Sequence, residues 1–218
     1  MLQAAEMTIP SAGQTQDAVS GLIIAGGRAQ RMEGRDKGLQ PYLGRPLLAH
    51  VIERFAPQVQ GLRLNVNHHR EAYAGFGLPC VADTVPGYAG PLAGLLAGLE
   101  TCITPLLACV PCDAPLLPMD LVQRLRAALQ EEPAGAAAAA GTAIAVASAA
   151  GRLQPTFMLC RRSVQPELAR FLASGERRVG RWLDDLALPF RVVRVDFPDT
   201  LPFTNINTLE ELNTLEKT

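Results

Sequence analysis

The sequence predicts an α/β fold of three layers built on a mostly parallel central sheet. Three observations predict it. Two continuous apolar runs, 22–25 and 106–110, end abruptly in turn residues, Gly26-Gly27 and Pro111-Cys112-Asp113-Ala114-Pro115, as strands buried on both faces do. Apolar residues recur at helical spacing after each run. Strand and helix patterns alternate over the first 130 residues, the order that builds a parallel sheet with helices on both faces. Such a Rossmann-like sheet holds its ligands outside the carboxyl ends of its strands.

Leu22-Ile23-Ile24-Ala25 is the first strand. Leu47, Leu48, Val51, Ile52 and Phe55 share one helical face, after the loop Gly44-Arg45-Pro46 whose proline suits a first helical turn. Leu62 to Val66 alternates as a second strand, and Cys80-Val81-Ala82 is a short third. Pro91 to Leu99 is small and apolar throughout and reads as a buried helix. Leu106 to Val110 is a central fourth strand beside the first, and Leu121, Val122, Leu125, Ala128 and Leu129 give the helix after it. The alanine-rich stretch from Ala134 to Ala150 is broken by Gly135 and Gly141, and Ile144 and Val146 favour a strand. It turns at Ala150-Gly151 and pairs with Gln154 to Leu159. Two amphipathic helices, Val164 to Leu172 and Val179 to Leu186, flank Ser174-Gly175-Glu176-Arg177-Arg178. Val192 to Val195 is a late strand, and Asn207 three positions before Glu210 marks the start of a last helix.

The chain has 218 residues, 48% hydrophobic and 19% charged, and a chain of this length buries roughly 70% of its unfolded surface in one core. That excludes disorder and fibrous structure for its bulk. No charge run or Pro/Gly/Ser-rich linker divides it, so residues 1–20 are expected to form a flexible tail and residues 21–218 a single domain. A formal net charge of -1 supplies no global attraction to nucleic acid or to an anionic membrane. A polyphosphate ligand must therefore be held by local groups. Five cysteines, an odd count, read as reduced thiols and a cytoplasmic location. No basic leader precedes an apolar core, and no run reaches the roughly 18–20 apolar residues that span a bilayer.

Two features carry chemistry. In Ile24-Ala25-Gly26-Gly27, adjacent glycines at a strand's end let backbone N–H groups approach an anion. Arg28, Arg31, Arg35 and Lys37 then supply positive charge for phosphate oxygens. Neither G-x-x-x-x-G-K-[ST] nor G-x-G-x-x-G is present, which argues against a P-loop ATPase and a dinucleotide dehydrogenase. The second feature is Asp113, alone at the end of an apolar strand. One carboxylate there suffices to anchor Mg²⁺, which keeps waters and substrate phosphates as its other ligands. Taken singly, a glycine turn beside a solvated basic loop and a turn aspartate before Pro115 explain these features as simply. Position joins them: if the first and fourth strands are neighbours, Asp113 faces the glycine loop across one sheet edge.

Ile24-Ala25-Gly26-Gly27 with Arg31-Met32 and Asp36-Lys37-Gly38, then Asn65-x-Asn67, Asp83, Gly90-Pro91-Leu92-Ala93-Gly94, Pro111-Cys112-Asp113, Gly175-Glu176-Arg177-Arg178 and Asn205-x-Asn207, resembles the molybdenum cofactor guanylyltransferases from about residue 21 onward. The glycine loop alone is shared by the wider nucleotidyltransferase superfamily; the later segments narrow the resemblance to the family. It implies a nucleotidyltransferase-type fold and transfer of GMP from Mg-GTP to the terminal phosphate of molybdopterin, with release of pyrophosphate. It implies that Lys37 and Mg²⁺ act on the α-phosphate, Arg31 on the departing pyrophosphate, and Asp113 on the metal. Ile24, Ala25, Gly26 and Gly27 with Asn65, Asp83 and the Gly90 to Gly94 loop hold the nucleotide in this reading, Asp83 at the base or the ribose. Asn205 and Asn207 lie on the pterin side, and Arg177 and Arg178 meet the molybdopterin phosphate. Partner proteins that deliver the cofactor, or chaperone molybdoenzymes, follow from the same resemblance. Gln154-Pro155-Thr156 stands where some relatives carry a histidine before proline.

Other residues are read as structural. Cys109-x-x-Cys112 has redox spacing, but Cys109 lies within a buried strand rather than at a helix start. His68-His69 lacks a third ligand at useful spacing. His50 falls on the polar side of its helix and is expected to be solvated, while Trp182 belongs to an apolar face with Val179, Leu183 and Leu186. Three alternatives stay open. A cytidylyltransferase, or another nucleotidyltransferase with a different phosphorylated acceptor, would use the same loop and Asp113. The others are an inactive nucleotide-binding adaptor and a redox protein.

Overall fold

The computed structural model describes residues 18–25, 36–87, 90–130, 142–186, 190–206 and 211. Its first strand, β1 (Val19–Ile24), starts before the predicted boundary at residue 21, so Val19 and Ser20 belong to the domain and not to a tail. Their burial is the reason: Val19 and Ser20 are covered like the rest of the strand. A short hairpin, β2 (Pro41–Tyr42) and β3 (Arg45–Pro46), occupies the predicted loop and turns at Leu43 and Gly44, both at positive φ. Helix α1 (Leu47–Phe55) buries Leu47, Leu48, Val51 and Phe55. Then come β4 (Gly61–Asn65), the single-turn α2 (Arg70–Tyr73), β5 (Cys80–Val81), α3 (Pro91–Thr101), β6 (Leu106–Pro111) and α4 (Leu121–Gln130). The second half contributes β7 (Thr142–Ala149), β8 (Arg152–Arg161), α5 (Gln165–Ala173), α6 (Val179–Asp185) and β9 (Arg191–Phe197). Of the predicted last helix, residues 207–210 and 212–218 lie outside the described residues.

Apart from the β2–β3 hairpin, these strands form one seven-stranded sheet in the order β5-β4-β1-β6-β8-β7-β9. Only β8 runs against its neighbours, β6 and β7; the other pairings are parallel. Side chains alternate between the faces as the period of two requires. Ile23, Ala108 and Val110 join α1 and α4 in one buried cluster, while Leu22, Leu107 and Cys109 join α3, α5 and α6 in the other. Two-sided burial is why the runs 22–25 and 106–110 are continuously apolar. The β7–β8 turn falls at Ala150 and Gly151, both at positive φ, the backbone a tight two-residue hairpin demands.

The chain leaves β1 toward β4 on one side and returns from β5 through α3 to β6 on the other. The connections therefore diverge between β1 and β6, which opens a crevice at their carboxyl ends. Ile24 pairs in register with Pro111, so the segments after residues 24 and 111 start level with each other.

Candidate functional site

Both strand ends are locked to their neighbours. The Cys112 amide donates to the Ile24 carbonyl at 3.1 Å, and the Ala25 amide donates to the Asn65 carbonyl at 2.9 Å. Ile24 and Ala25, Asn65 at the end of β4, and Asp113 after β6 are thereby held in one row.

Lys37 reaches this row from a single 3-10 turn over 37–39. Gly38 lets the turn sit directly on the strand end: a Cβ there would lie 3.4 Å from Cβ and Sγ of Cys112. Lys37 Nζ donates to Asp113 Oδ2 at 3.0 Å, with the two side chains 22% and 10% exposed. Asp113 Oδ1 is buried and has no hydrogen-bond partner. A buried carboxylate oxygen without a donor costs about 1–3 kcal/mol unless something satisfies it. A hard divalent cation that prefers oxygen ligands fits that vacancy in the hydrogen-bonding pattern. Among the described residues no group of three or more His, Cys, Asp or Glu side chains could hold a metal; Mg²⁺ is commonly held by one or two carboxylates with substrate phosphates and water.

Asn65 and Asp83 also meet. Asn65 Nδ2 donates to Asp83 Oδ1 at 2.9 Å. Asn67 Nδ2 donates to Asp83 Oδ2 at 2.8 Å and its Oδ1 accepts the Asp83 amide at 2.8 Å. Asn65 itself is only 1% exposed, packed beneath α3, where a Cβ on Gly94 would lie 2.3 Å from its Oδ1. Gly94→Ala is therefore expected to cost about 1–3 kcal/mol through overpacking and to weaken nucleotide binding by displacing Asn65. Denaturant unfolding and nucleotide titration check the two effects separately. The motif places the Gly90 to Gly94 loop at the nucleotide, but the packing of Gly94 on Asn65 and the bonds of Asn67 to Asp83 escape it. The one available signal was the i, i+2 spacing of the two asparagines, which aims both side chains to one side of an extended chain.

On the far side of Asp113, the Ile206 amide donates to the Asp113 carbonyl at 2.9 Å, and the Ile206 side chain is buried with Tyr42 and Leu47. Half-buried Asn205 is thus adjacent in sequence to a residue bonded to Asp113. Arg177 and Arg178 differ in their contacts. Arg177 Nη1 donates to the carbonyls of Leu172 at 2.6 Å and Glu176 at 2.7 Å, tying the loop to the end of α5. Arg178 is exposed, 3.5 Å from Glu176 Oε2. A Cβ on Gly90, at φ 73°, would lie 3.9 Å from the Arg177 carbonyl, so this loop flanks the start of α3. Gly26, Gly27, Arg31 and Asn207 lie outside the described residues.

His50 differs from its expected solvated state: its Nε2 lies 2.8 Å from the Tyr42 carbonyl and its ring meets Tyr42 edge-on, because the β2–β3 hairpin folds over α1. Trp182 is core, 1% exposed. Burial pushes the Cys109, Cys112 and Cys160 thiols well above their usual range, and the negative charge of Asp113 adds to this at Cys112. A thiol held protonated is neither nucleophile nor metal ligand, so Cys112 serves as packing beneath the Lys37 turn. No helix among the described residues is long and apolar enough to cross a membrane.

Comparison with known proteins agrees with this geometry. The MobA-like NTP transferase domain model matches residues 21–189. A molybdenum cofactor guanylyltransferase from Cupriavidus necator is 46% identical over 204 residues, covering 92% of this chain and 98% of the relative. The crystal structure of molybdopterin-guanine dinucleotide biosynthesis protein A from Archaeoglobus fulgidus superposes with a TM-score of 0.70 at 20% identity, over 91% of this chain and 97% of that one. Protein Rv0371c from Mycobacterium tuberculosis, solved in complex with manganese, superposes at a TM-score of 0.63 and 21% identity, over 92% of this chain and 98% of that one. With a MobA-like NTP transferase domain over most of its length and close relatives of one name, the chain belongs to the molybdenum cofactor guanylyltransferases, a family of nucleotidyltransferase enzymes.

Proposed function

We propose that this protein transfers GMP from Mg-GTP to the terminal phosphate of molybdopterin, releasing pyrophosphate and forming molybdopterin guanine dinucleotide. The observation that carries the reading is the Lys37–Asp113 pair at the divergence of β1 and β6, with Asp113 Oδ1 buried and unsatisfied. A phosphate oxygen of the acceptor attacks the α-phosphorus of GTP. The bond from that phosphorus to the β-bridging oxygen breaks, and pyrophosphate leaves with the electron pair. The attacking group is already an anion, so no strong base is needed; the protein must bring two polyanions together in line.

Lys37 Nζ carries three donors, so it can donate to an α-phosphate oxygen while retaining Asp113. Asp113 would hold Mg²⁺, which when bound neutralises charge on the phosphates. Arg31 is assigned to the pyrophosphate, and the Ile24 to Gly27 backbone to the nucleotide with Asn65 and Asp83. Asp83 retains accepting capacity on both oxygens, each of which takes one asparagine amide. That suits the adjacent N1–H and N2–H₂ donors of guanine. Asn205 and Asn207 are assigned to the pterin, whose ring edge offers both donors and acceptors, and exposed Arg178 to its phosphate, with Arg177 shaping the loop. The same reading gives the protein cofactor-delivery or molybdoenzyme chaperone partners, and its five free cysteines fit a cytoplasmic site of action.

The test is incubation with molybdopterin, Mg²⁺ and each of GTP, CTP, ATP and UTP, with pyrophosphate release followed. Release with GTP alone is the expected result. Release with CTP instead would move the protein to the cytidylyltransferases, and GTP binding without release would make it an adaptor.

A further inference from the structure

We infer that Asn67 is a specificity-positioning residue: with Asn65 it clamps the Asp83 carboxylate in the one orientation that reads a guanine edge. This rests on the guanine assignment above and goes beyond it in naming what sets selectivity. The clamp has three bonds. Asn67 Nδ2 and Oδ1 hold the Asp83 carboxylate and the Asp83 amide of the same residue, each at 2.8 Å. Asn65 Nδ2 holds the other carboxylate oxygen at 2.9 Å. A residue gripped at its backbone and at both side-chain oxygens has no freedom to rotate its carboxylate.

Asn65 cannot itself be the principal reader of the base. It is 1% exposed, its amide nitrogen also faces the Val81 carbonyl at 3.4 Å, and its oxygen is pressed against α3 at Gly94. Asp83 and Asn67 are both half-buried, but Asn67 directs its Nδ2 and Oδ1 at Asp83, so the carboxylate in the loop after β5 is the member of the trio that offers two acceptor oxygens to a ligand. β5 is only two residues long and orients the loop weakly, which leaves the orientation of Asp83 to the asparagines. Two parallel N–H donors on a ligand require both carboxylate oxygens in one plane; a tilt loses one of the bonds. Inosine carries N1–H but lacks the N2 amino group, so it reports the second bond alone.

Binding of Mg-GTP and Mg-ITP to the native protein, Asn67→Ala and Asn67→Asp is measured by calorimetry, with Mg-pyrophosphate as a base-free control and thermal unfolding alongside. The native protein is expected to favour GTP over ITP by at least about tenfold, the scale of one lost hydrogen bond in a bidentate pair. Both variants are expected to shrink that ratio to within about threefold while Mg-pyrophosphate binding stays unchanged. A ratio preserved in a folded variant overturns the inference and leaves the guanine reading intact. A native protein that binds GTP and ITP equally overturns both. Weakening of GTP, ITP and pyrophosphate by one common factor marks Asn67 as structural only and likewise overturns it.

Discussion

Asp113→Asn is expected to lower pyrophosphate release by roughly 10³-fold, a loss of several kcal/mol of charge stabilisation at the phosphates, with little change in folding stability. The substitution keeps the side-chain volume and the backbone carbonyl that accepts the Ile206 amide. It removes the charge that pairs with Lys37 and would attract a cation to the unsatisfied oxygen, replacing one carboxylate oxygen with an amide nitrogen. Lys37 is 22% exposed, so its ammonium recovers water when the carboxylate is gone. Steady-state pyrophosphate release across a Mg²⁺ titration checks the effect. Recovery of the native rate at high Mg²⁺ would reduce Asp113 to a minor ligand, and an unchanged rate would remove it from the site.

Lys37→Met is expected to behave differently in one respect. Activity falls by roughly 10²- to 10³-fold, the scale of one electrostatic donor lost from a transition state. Stability falls as well, by about 1–3 kcal/mol, because the Asp113 carboxylate, 10% exposed, loses its donor inside the fold. The asymmetry is measurable: denaturant midpoints separate Lys37→Met from Asp113→Asn, while both lose activity. In the double variant the stability cost should largely vanish, since no charge remains to be satisfied, and activity should remain absent. If Lys37→Met and Asp113→Asn were equally destabilised, the pair would be structural first and catalytic second.

Much of the fold was legible because burial dictates pattern. A strand covered on both faces must be apolar at every position, and so β1 and β6 announced themselves, as did the face of α1. Three features were not legible. The β2–β3 hairpin has two residues per strand, too few for a period to appear. β1 begins with Val19-Ser20-Gly21, where Ser20 finds a partner in Thr104 and Gly21 faces side chains that leave no room for a Cβ; neither residue looks like a buried strand in isolation. The insertion of antiparallel β8 between β6 and β7 was hidden because alternation has no direction. His50 was misread for a related reason, since its partner belongs to the unrecognised hairpin.

The site divides along the same line. Sequence by itself determined which groups are present at the strand ends: the basic segment ending in Lys37, the solitary Asp113, the paired asparagines and Asp83. The basic segment and Asp113 follow from local chemistry, because phosphate needs positive charge and a hard cation needs a carboxylate; the asparagines and Asp83 come with the family resemblance. Only the tertiary structure decided which of them touch. Lys37 and Asp113 are 76 positions apart and meet at 3.0 Å because the strand order reverses between β1 and β6. The clamp on Asp83 exists because β4 and β5 are neighbours, and Arg177 Nη1 meets the Leu172 and Glu176 carbonyls because its loop folds back on the end of α5. Contacts between distant residues depend on strand order and register, which pairwise packing of whole elements sets and no local stretch of sequence encodes.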